Sequence, residues 1–232
     1  MANISQTKIQ FQSVANFHDL VSTAFNGDVN SICWSRELNG DFSEIAKKVA
    51  TKENITTLDE QELLELELSE QGQIARDVIL NDLKLLKDLG ASPILNVIKN
   101  YERDETNPFF PTDVYSFHVD RSPIPTDTFL CTYFGEPSDI LPNSHAEQKI
   151  HIREIRTELK KQFDGTEEGF ELFLTEHFFD LHYQAKLDAK IISLGLGHLW
   201  RLSVDHPESQ VLPCIHRAPK EKTTESRLLL IC

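Results

Sequence analysis

The sequence predicts an α+β fold in which a distorted β-sandwich or barrel is braced by N-terminal helices. Helical spacing of apolar residues dominates the first 92 residues, short aromatic and β-branched segments begin near residue 112, and strand-like segments return at the C-terminal end. We therefore expect one domain over residues 1–232. Its mainly helical support spans 1–92, and its β-core spans 93–232 with a helical insertion at 146–190.

Composition argues against several classes of function. The net charge of −14, without a run of Lys or Arg, disfavours nucleic-acid binding. The N-terminus has no basic segment followed by an apolar one, and no apolar stretch approaches the ~20 residues that span a bilayer. The four cysteines lack CxxC spacing, so we expect reduced thiols. These features predict a cytoplasmic protein that binds neither nucleic acid nor membrane.

The N-terminal part alternates between helix and strand patterns. Residues 14–24 and 42–50 have the amphipathic pattern of short helices, and residues 29–37 are rich in the apolar and β-favouring types of a strand. The acidic run at 58–71 is interpreted as the solvated face of a helix, in preference to a metal or basic-partner site. Residues 74–89 repeat apolar side chains at helical spacing.

The end of this long helix and the segment after it carry two further signals. Gly90 is in the position of a C′ residue, which ends a helix in the left-handed conformation. Residues 94–101 are ambiguous, because Ser92 and Pro93 could open a helix while the β-branched residues favour a strand. We predict a strand, since a β-rich region follows.

The C-terminal region is predicted as strands around two helices. Helices are expected at 146–162 and 167–188. Strands are expected at 113–120, 127–135, 191–204, 211–219 and 226–232.

His118 and Asp120 are the first candidate functional residues. Residues two apart on a strand project from the same face, so this imidazole and this carboxylate point together. They supply two of the three ligands of a facial metal triad. An HxD motif alone is common by chance, and each residue has a structural alternative: a core histidine for His118 and a turn cap for Asp120.

His216 and Arg227 strengthen the prediction of a metal site. His216 ends an apolar strand, and Arg227 follows shortly after it, in front of the apolar run LLLI. A buried arginine needs an anionic partner, and its guanidinium matches a carboxylate in bidentate fashion. A dicarboxylate cosubstrate would serve, although an internal ion pair is the structural alternative. The joint order of HxD, distant His and then Arg favours a functional site.

This HxD…H…R pattern resembles the Fe(II)/2-oxoglutarate-dependent oxygenases, whose fold is the double-stranded β-helix, a jelly-roll and cupin-like core. The resemblance implies that His118, Asp120 and His216 bind Fe(II). It also implies that 2-oxoglutarate is a cosubstrate whose distal carboxylate is held by Arg227, and that O₂ takes the remaining metal position. The implied reaction is oxidation, usually hydroxylation, of an unactivated C–H bond.

Most of the chain also resembles a bacterial domain family of unknown function. The stretches that carry this resemblance are VNSICWSRE, FHVD, CTYFGEPSDILPNS, IHRAP and RLLLI. This second resemblance implies no activity.

Residues near the motif have less specific predictions. Either Thr132 or Tyr133 could reach the cosubstrate, and strand alternation allows only one of them to face inward; we favour Tyr133. Arg121 and Arg217 neighbour the ligands on their strands and are expected to point away from them. Cys214 is expected to be a small buried residue.

The histidines of the predicted insertion are expected to have no special role. Zinc-binding histidines on a helix are spaced three or four residues apart. The closest pair, His177 and His182, is five apart. We therefore interpret this set as ordinary helix residues: His145, His151, His177 and His182.

The predicted function is a stand-alone enzyme acting on a small molecule, such as an amino acid or a related metabolite. One alternative is a cupin-like metalloenzyme that does not use 2-oxoglutarate, in which Arg227 is a substrate clamp or a structural ion pair. Another is a non-catalytic binding protein whose HxD motif and His216 are structural. Succinate formation and metal content distinguish these alternatives.

Overall fold

The computed structural model is a mixed α+β protein with two mostly antiparallel sheets. It describes residues 10–49, 53–105, 107, 109–219 and 225–232. The helices in these ranges are α1 (Phe17–Ser22), α2 (Phe42–Lys48), α3 (Glu60–Glu65), α4 (Glu70–Asp88), α5 (Arg153–Gln162) and α6 (Glu167–Glu176). None of these helices has the length and apolar character that crossing a membrane requires.

The strands form one sheet of seven and one of six. The larger sheet contains β1 (Phe11–Val14), β2 (Ser31–Trp34), β3 (Ile55–Leu58), β4 (Ile94–Ile98), β6 (Asp127–Phe134), β11 (Leu199–Ser203) and β13 (Arg227–Ile231). The smaller sheet contains β5 (Phe117–His118), β7 (Asp139–Ile140), β8 (Ala146–Gln148), β9 (His182–Ala185), β10 (Ile192–Ser193) and β12 (His216–Arg217). Their orders are β1-β2-β11-β6-β13-β4-β3 and β10-β7-β12-β5-β9-β8.

Helix α4 forms for the reasons that its sequence indicates. The side chain of Ser69 caps its N-terminus by accepting a hydrogen bond from the amide of Gly72. Ile79 and Leu86 of its apolar stripe are fully buried, and they belong to one core cluster with residues of the larger sheet. Gly90 has a φ of +92° directly after the helix, which confirms the predicted C′ residue.

The acidic segment 58–71 is divided between elements, which corrects the prediction of one helix. Its first residue ends β3, α3 occupies only Glu60–Glu65, and α4 begins at Glu70. A reciprocal capping box joins Asp59 and Glu62, and this local hydrogen bonding starts a new helix inside the run.

The larger sheet is buried on both faces. On β6, Cys131 and Tyr133 pack with the helices, whereas Leu130 faces the other way and packs with Ile140 of the smaller sheet and with Cys214, which precedes β12. The protein is therefore layered as helices, larger sheet and smaller sheet. The same alternation sends Thr128 and Thr132 toward the smaller sheet.

The insertion at 146–190 is only partly helical, which corrects the prediction. Helices α5 and α6 are present, but β8 precedes them and β9 follows them. Strand β9 pairs with both β8 and β5, so the insertion completes the smaller sheet. The chain leaves α6 through Phe178, whose φ of 57° is left-handed and stops the helix.

Three of the predicted C-terminal strands are divided or reduced to two paired residues. The segment 191–204 is two strands, β10 and β11, because Gly195 and Gly197 take positive φ between them. Segments 113–120 and 211–219 pair only at β5 and β12.

Candidate metal centre

His118 and His216 are brought together by strand pairing. Strands β5 and β12 are antiparallel neighbours, and His216 lies directly opposite His118. Cross-strand partners project from the same face of a sheet. The two imidazole rings consequently lie with their centroids 4.6 Å apart.

Asp120 joins this pair from the end of β5. Its backbone oxygen accepts a hydrogen bond from the Asp205 amide, which holds the chain extended beyond the strand. One carboxylate oxygen, Oδ1, lies 4.0 Å from Nε2 of His118, and the other, Oδ2, lies 3.7 Å from Nε2 of His216.

The three side chains could hold one metal ion. One ligand atom from each of His118, Asp120 and His216 lies within 4.8 Å of the other two. Ligands on one face of an ion at ~2.0–2.2 Å are about 3 Å apart. A small inward movement of the three side chains would therefore bring their ligand atoms to coordination distance of one ion.

Hydrogen bonds orient both imidazoles for metal binding. Nδ1 of His118 is 2.8 Å from the backbone oxygen of Ser116, and Nδ1 of His216 is 3.2 Å from that of Cys214. A carbonyl oxygen can only accept, so Nδ1 is the protonated nitrogen in each ring. In the neutral form of each ring, Nε2 then carries the lone pair, which is the tautomer of a metal-bound histidine.

The ionisation of the site also suits a cation. Burial, and then the charge of His216, lower the pKa of His118 to about 4, so its ring is neutral near pH 7. Burial alone would raise the pKa of Asp120. The neighbouring His216 and the hydroxyl of Thr128, which donates to Oδ2 at 2.5 Å, outweigh that effect and lower it. The site therefore offers a neutral imidazole at His118 and an anionic carboxylate at Asp120.

Arg227 is buried between the two sheets among hydroxyl groups. Its guanidinium donates to Thr132 Oγ1 and Ser138 Oγ, both at 2.8 Å, and to the Tyr101 hydroxyl at 3.3 Å. Among the described residues, no carboxylate forms a salt bridge with it. Burial lowers its pKa from the ordinary arginine value.

Tyr133 lies on the wrong face of β6 for the predicted cosubstrate role. Its hydroxyl donates to Asp82 Oδ2 at 2.6 Å within the helix-side core, and its ring stacks on Phe42. Thr132 is the member of the pair that faces Arg227. Both faces of β6 are buried, so apolar character could not indicate which face carries the site.

Arg121 and Arg217 are held in ion pairs away from the metal ligands, although Arg121 lines the same pocket as His118 and Asp120. Arg121 forms ion pairs with Asp180 and Asp205, both at 2.7 Å, so neither its charge nor its donors are directed at the metal ligands. Arg217 pairs with Asp139 at 2.9 Å. Cys214 is buried, and burial raises the pKa of its thiol.

The sequence prediction missed two residues near the site: Thr128, which bonds to Asp120, and His182. His182 lies on β9 directly opposite His118, with its ring centroid 5.9 Å from that of His118. The prediction of a helix through 188 hid this pairing. The β-favouring Tyr183 beside His182 was the available signal.

A pocket of about 280 Å³ opens beside the candidate ligands. His118, Asp120 and His182 line it together with residues of the insertion. Arg227 lines a different pocket with Ile98 and Tyr101, and the two pockets share no lining residue.

Comparisons of this chain with protein-family models, with curated proteins and with solved structures find no match.

Proposed function

We propose that this protein is a mononuclear non-haem Fe(II) oxygenase that uses 2-oxoglutarate and O₂ to oxidise a C–H bond of a small molecule. The observation that carries the proposal is the convergence of two correctly oriented imidazoles and one carboxylate at His118, Asp120 and His216. Two histidines and one carboxylate on one face are the ligand set typical of non-haem Fe(II) oxygenases, because they leave further metal positions open.

The role of each ligand follows from its contacts. His118 and His216 present Nε2 because the backbone holds Nδ1. Asp120 supplies one negative charge, and Thr128 fixes its orientation. Iron bound to these atoms would supply the redox chemistry of O₂, and the adjoining pocket would hold the C–H bond near the open metal positions.

The strand order supports a double-stranded β-helix as the core. Four strands of the larger sheet lie in the order β11-β6-β13-β4, and four of the smaller sheet lie in the order β10-β7-β12-β5. Along the chain these eight strands move from one sheet to the other at every step except β7 to β10. A jelly roll has eight strands in two such sheets.

Arg227 is the proposed anchor for the distal carboxylate of 2-oxoglutarate. A buried charge is costly without a partner of opposite charge. The described residues give this guanidinium hydroxyl partners, including Thr132 and Ser138, but no carboxylate. A carboxylate from the cosubstrate would complete its pairing.

A cupin-like metalloenzyme without 2-oxoglutarate is the second candidate. The observation that favours it is the separation of the two pockets, since Arg227 and the triad line different ones. In this candidate Arg227 is structural, held by the hydroxyls that surround it.

A binding and turnover experiment separates the two candidates. We expect 2-oxoglutarate to raise the Tm of the Mn(II)-loaded protein, and the Fe(II)-loaded protein to form succinate with O₂. Arg227→Gln should weaken 2-oxoglutarate binding at least tenfold and leave metal affinity unchanged. The matched control is Arg217→Gln, which removes an arginine adjacent to a ligand but paired with Asp139. Metal binding without any effect of 2-oxoglutarate would favour the second candidate.

A further inference from the structure

Three histidines form a row across three adjacent strands of the smaller sheet. His216 on β12 and His182 on β9 each lie directly opposite His118 on β5. Cross-strand partners share a face. His182 therefore lies one strand spacing, about 5 Å, beyond His118 on the side away from His216.

His182 lies next to the three proposed metal ligands but is not one of them. The ring centroid of His182 is 5.9 Å from that of His118, compared with 4.6 Å between His118 and His216. The group of mutually close ligand atoms consists of His118, Asp120 and His216. A residue here can contact a molecule bound next to the metal.

His182 is buried and has an unsatisfied ring nitrogen, which are features of a ligand-binding residue. It is only 4% exposed, and its Nδ1 is buried with no hydrogen-bond partner among the described residues. Buried polar atoms almost always have a partner, so an orphaned one needs an explanation. The ring lines the pocket of about 280 Å³ beside the triad, so a rotation of the imidazole would bring this nitrogen to a molecule bound there.

The same pocket has an apolar wall with a strained residue. Val114, Phe178 and Leu181 line it. Phe178 is the only non-glycine residue in the described part of the chain with a positive φ, at 57°, and the residue is 58% exposed. Strained backbone of this kind is frequent at ligand sites. The pocket therefore combines an apolar wall with the imidazole ring of His182.

The charged residues that line the pocket limit the kind of molecule that could bind there. Asp113 lines the pocket, and the one arginine that lines it, Arg121, is already paired with Asp180 and Asp205. No unpaired cation in the described residues lining the pocket could hold a carboxylate. An uncharged headgroup, such as an amide or a hydroxyl, suits an imidazole that can donate or accept.

We propose that His182 is a substrate-positioning residue, which binds the uncharged polar headgroup of a small molecule whose hydrocarbon part lies against Phe178 and Leu181. This inference rests on the proposed function, because it assigns the substrate of that metal site. The volume of this pocket lies just below the range typical of drug-sized ligand sites, which fits a small metabolite.

The test uses the full chain loaded with Co(II), with hexanamide as probe and hexanoate as the charged comparison. In NMR spectra, paramagnetic broadening of the probe's proton signals by Co(II) reports that the probe lies near the metal. Saturation transfer from protein to probe reports binding with or without bound metal. The variant is His182→Phe, which keeps an aromatic ring against Phe110 and removes the nitrogens. The control is His177→Phe, an exposed histidine of the same segment.

We expect hexanamide to be broadened in the wild type, to bind at least tenfold more tightly than hexanoate, and to bind at least tenfold more weakly to His182→Phe. Metal affinity should stay within twofold in that variant, and His177→Phe should match the wild type.

Equal probe binding in the wild type and His182→Phe, or no probe binding at all, would overturn the inference. Loss of metal affinity in His182→Phe would instead indicate that His182 is a metal ligand and not a substrate-positioning residue. If the protein bound hexanamide but took up no Co(II), the proposed metal function would be wrong, and the assignment of His182 to the pocket would stand.

Discussion

At the scale of single residues, the candidate site depends on hydrogen bonds that fix the orientation of each ligand. Ser116 and Cys214 hold the two imidazoles through backbone oxygens, and Thr128 holds the carboxylate of Asp120 through its hydroxyl. The outer partners of metal ligands typically influence metal affinity by ~10–100-fold. Thr128 is the only one of these three contacts made by a side chain, so substitution can test it.

Thr128→Val is expected to weaken Fe(II) or Mn(II) binding by roughly 10–100-fold. The change removes the hydroxyl that donates to Asp120 Oδ2 and keeps the shape of the side chain. Isothermal titration of the purified variant under anaerobic conditions would measure the effect.

Thr132→Val is the matched control for this change. Thr132 lies on the same strand and face, but its hydroxyl accepts from Arg227. It should leave metal affinity unchanged and weaken 2-oxoglutarate binding. If both variants lowered metal affinity equally, Thr128 would have no specific role at the site.

At the scale of elements, the insertion gives the site its second wall. Helix α6 ends at Glu176, the chain turns at Phe178, and it then enters β9, which pairs with β5 beside His118. A longer α6 would carry His182 away from β5. The left-handed residue at Phe178 is therefore the local feature that turns a helical segment into part of the pocket.

Phe178→Gly is expected to leave stability unchanged or to raise it by up to about 1 kcal/mol, because glycine adopts a positive φ without a steric penalty. The same change should weaken hexanamide binding, since it removes the ring from the pocket wall. Leu172→Gly is the control, because Leu172 is similarly exposed but lies inside α6. It should cost about 1 kcal/mol. Urea unfolding measures both changes, and a large loss of stability in Phe178→Gly would contradict the strain argument.

At the scale of the whole molecule, the proposed metal joins segments that are far apart in the chain. His118 and Asp120 come from the first half of the β-core, and His216 comes from near its end. A ligand that binds only the folded state stabilises it by mass action. Metal bound across β5 and β12 should therefore stabilise the smaller sheet against unfolding.

Metal at a free concentration of 100 times its Kd should stabilise the protein by about 2.7 kcal/mol. For a chain of this size this corresponds to a rise in Tm of about 5–10 °C. Differential scanning calorimetry with and without Mn(II) measures the rise, and a chelator should reverse it. His118→Ala should abolish the rise, whereas His151→Ala, at an exposed position outside the site, should keep it. An equal rise in both variants would contradict binding at the triad.

The sequence by itself determined the features that depend on local chain geometry. Strand alternation put His118 and Asp120 on one face, and helical spacing with Gly90 defined α4 and its end. The mixed α+β class also followed from such local patterns.

Only the tertiary structure decided which segments meet and which face of each strand forms the site. Alternation separates Thr132 from Tyr133, but because β6 is buried on both faces it could not say which one meets Arg227. The positions of His216 and His182 beside His118 come from pairing between distant strands, which no local pattern specifies. Long-range pairing is fixed by the packing of the whole core, and it is this packing that turned an HxD motif into a candidate metal centre with a pocket.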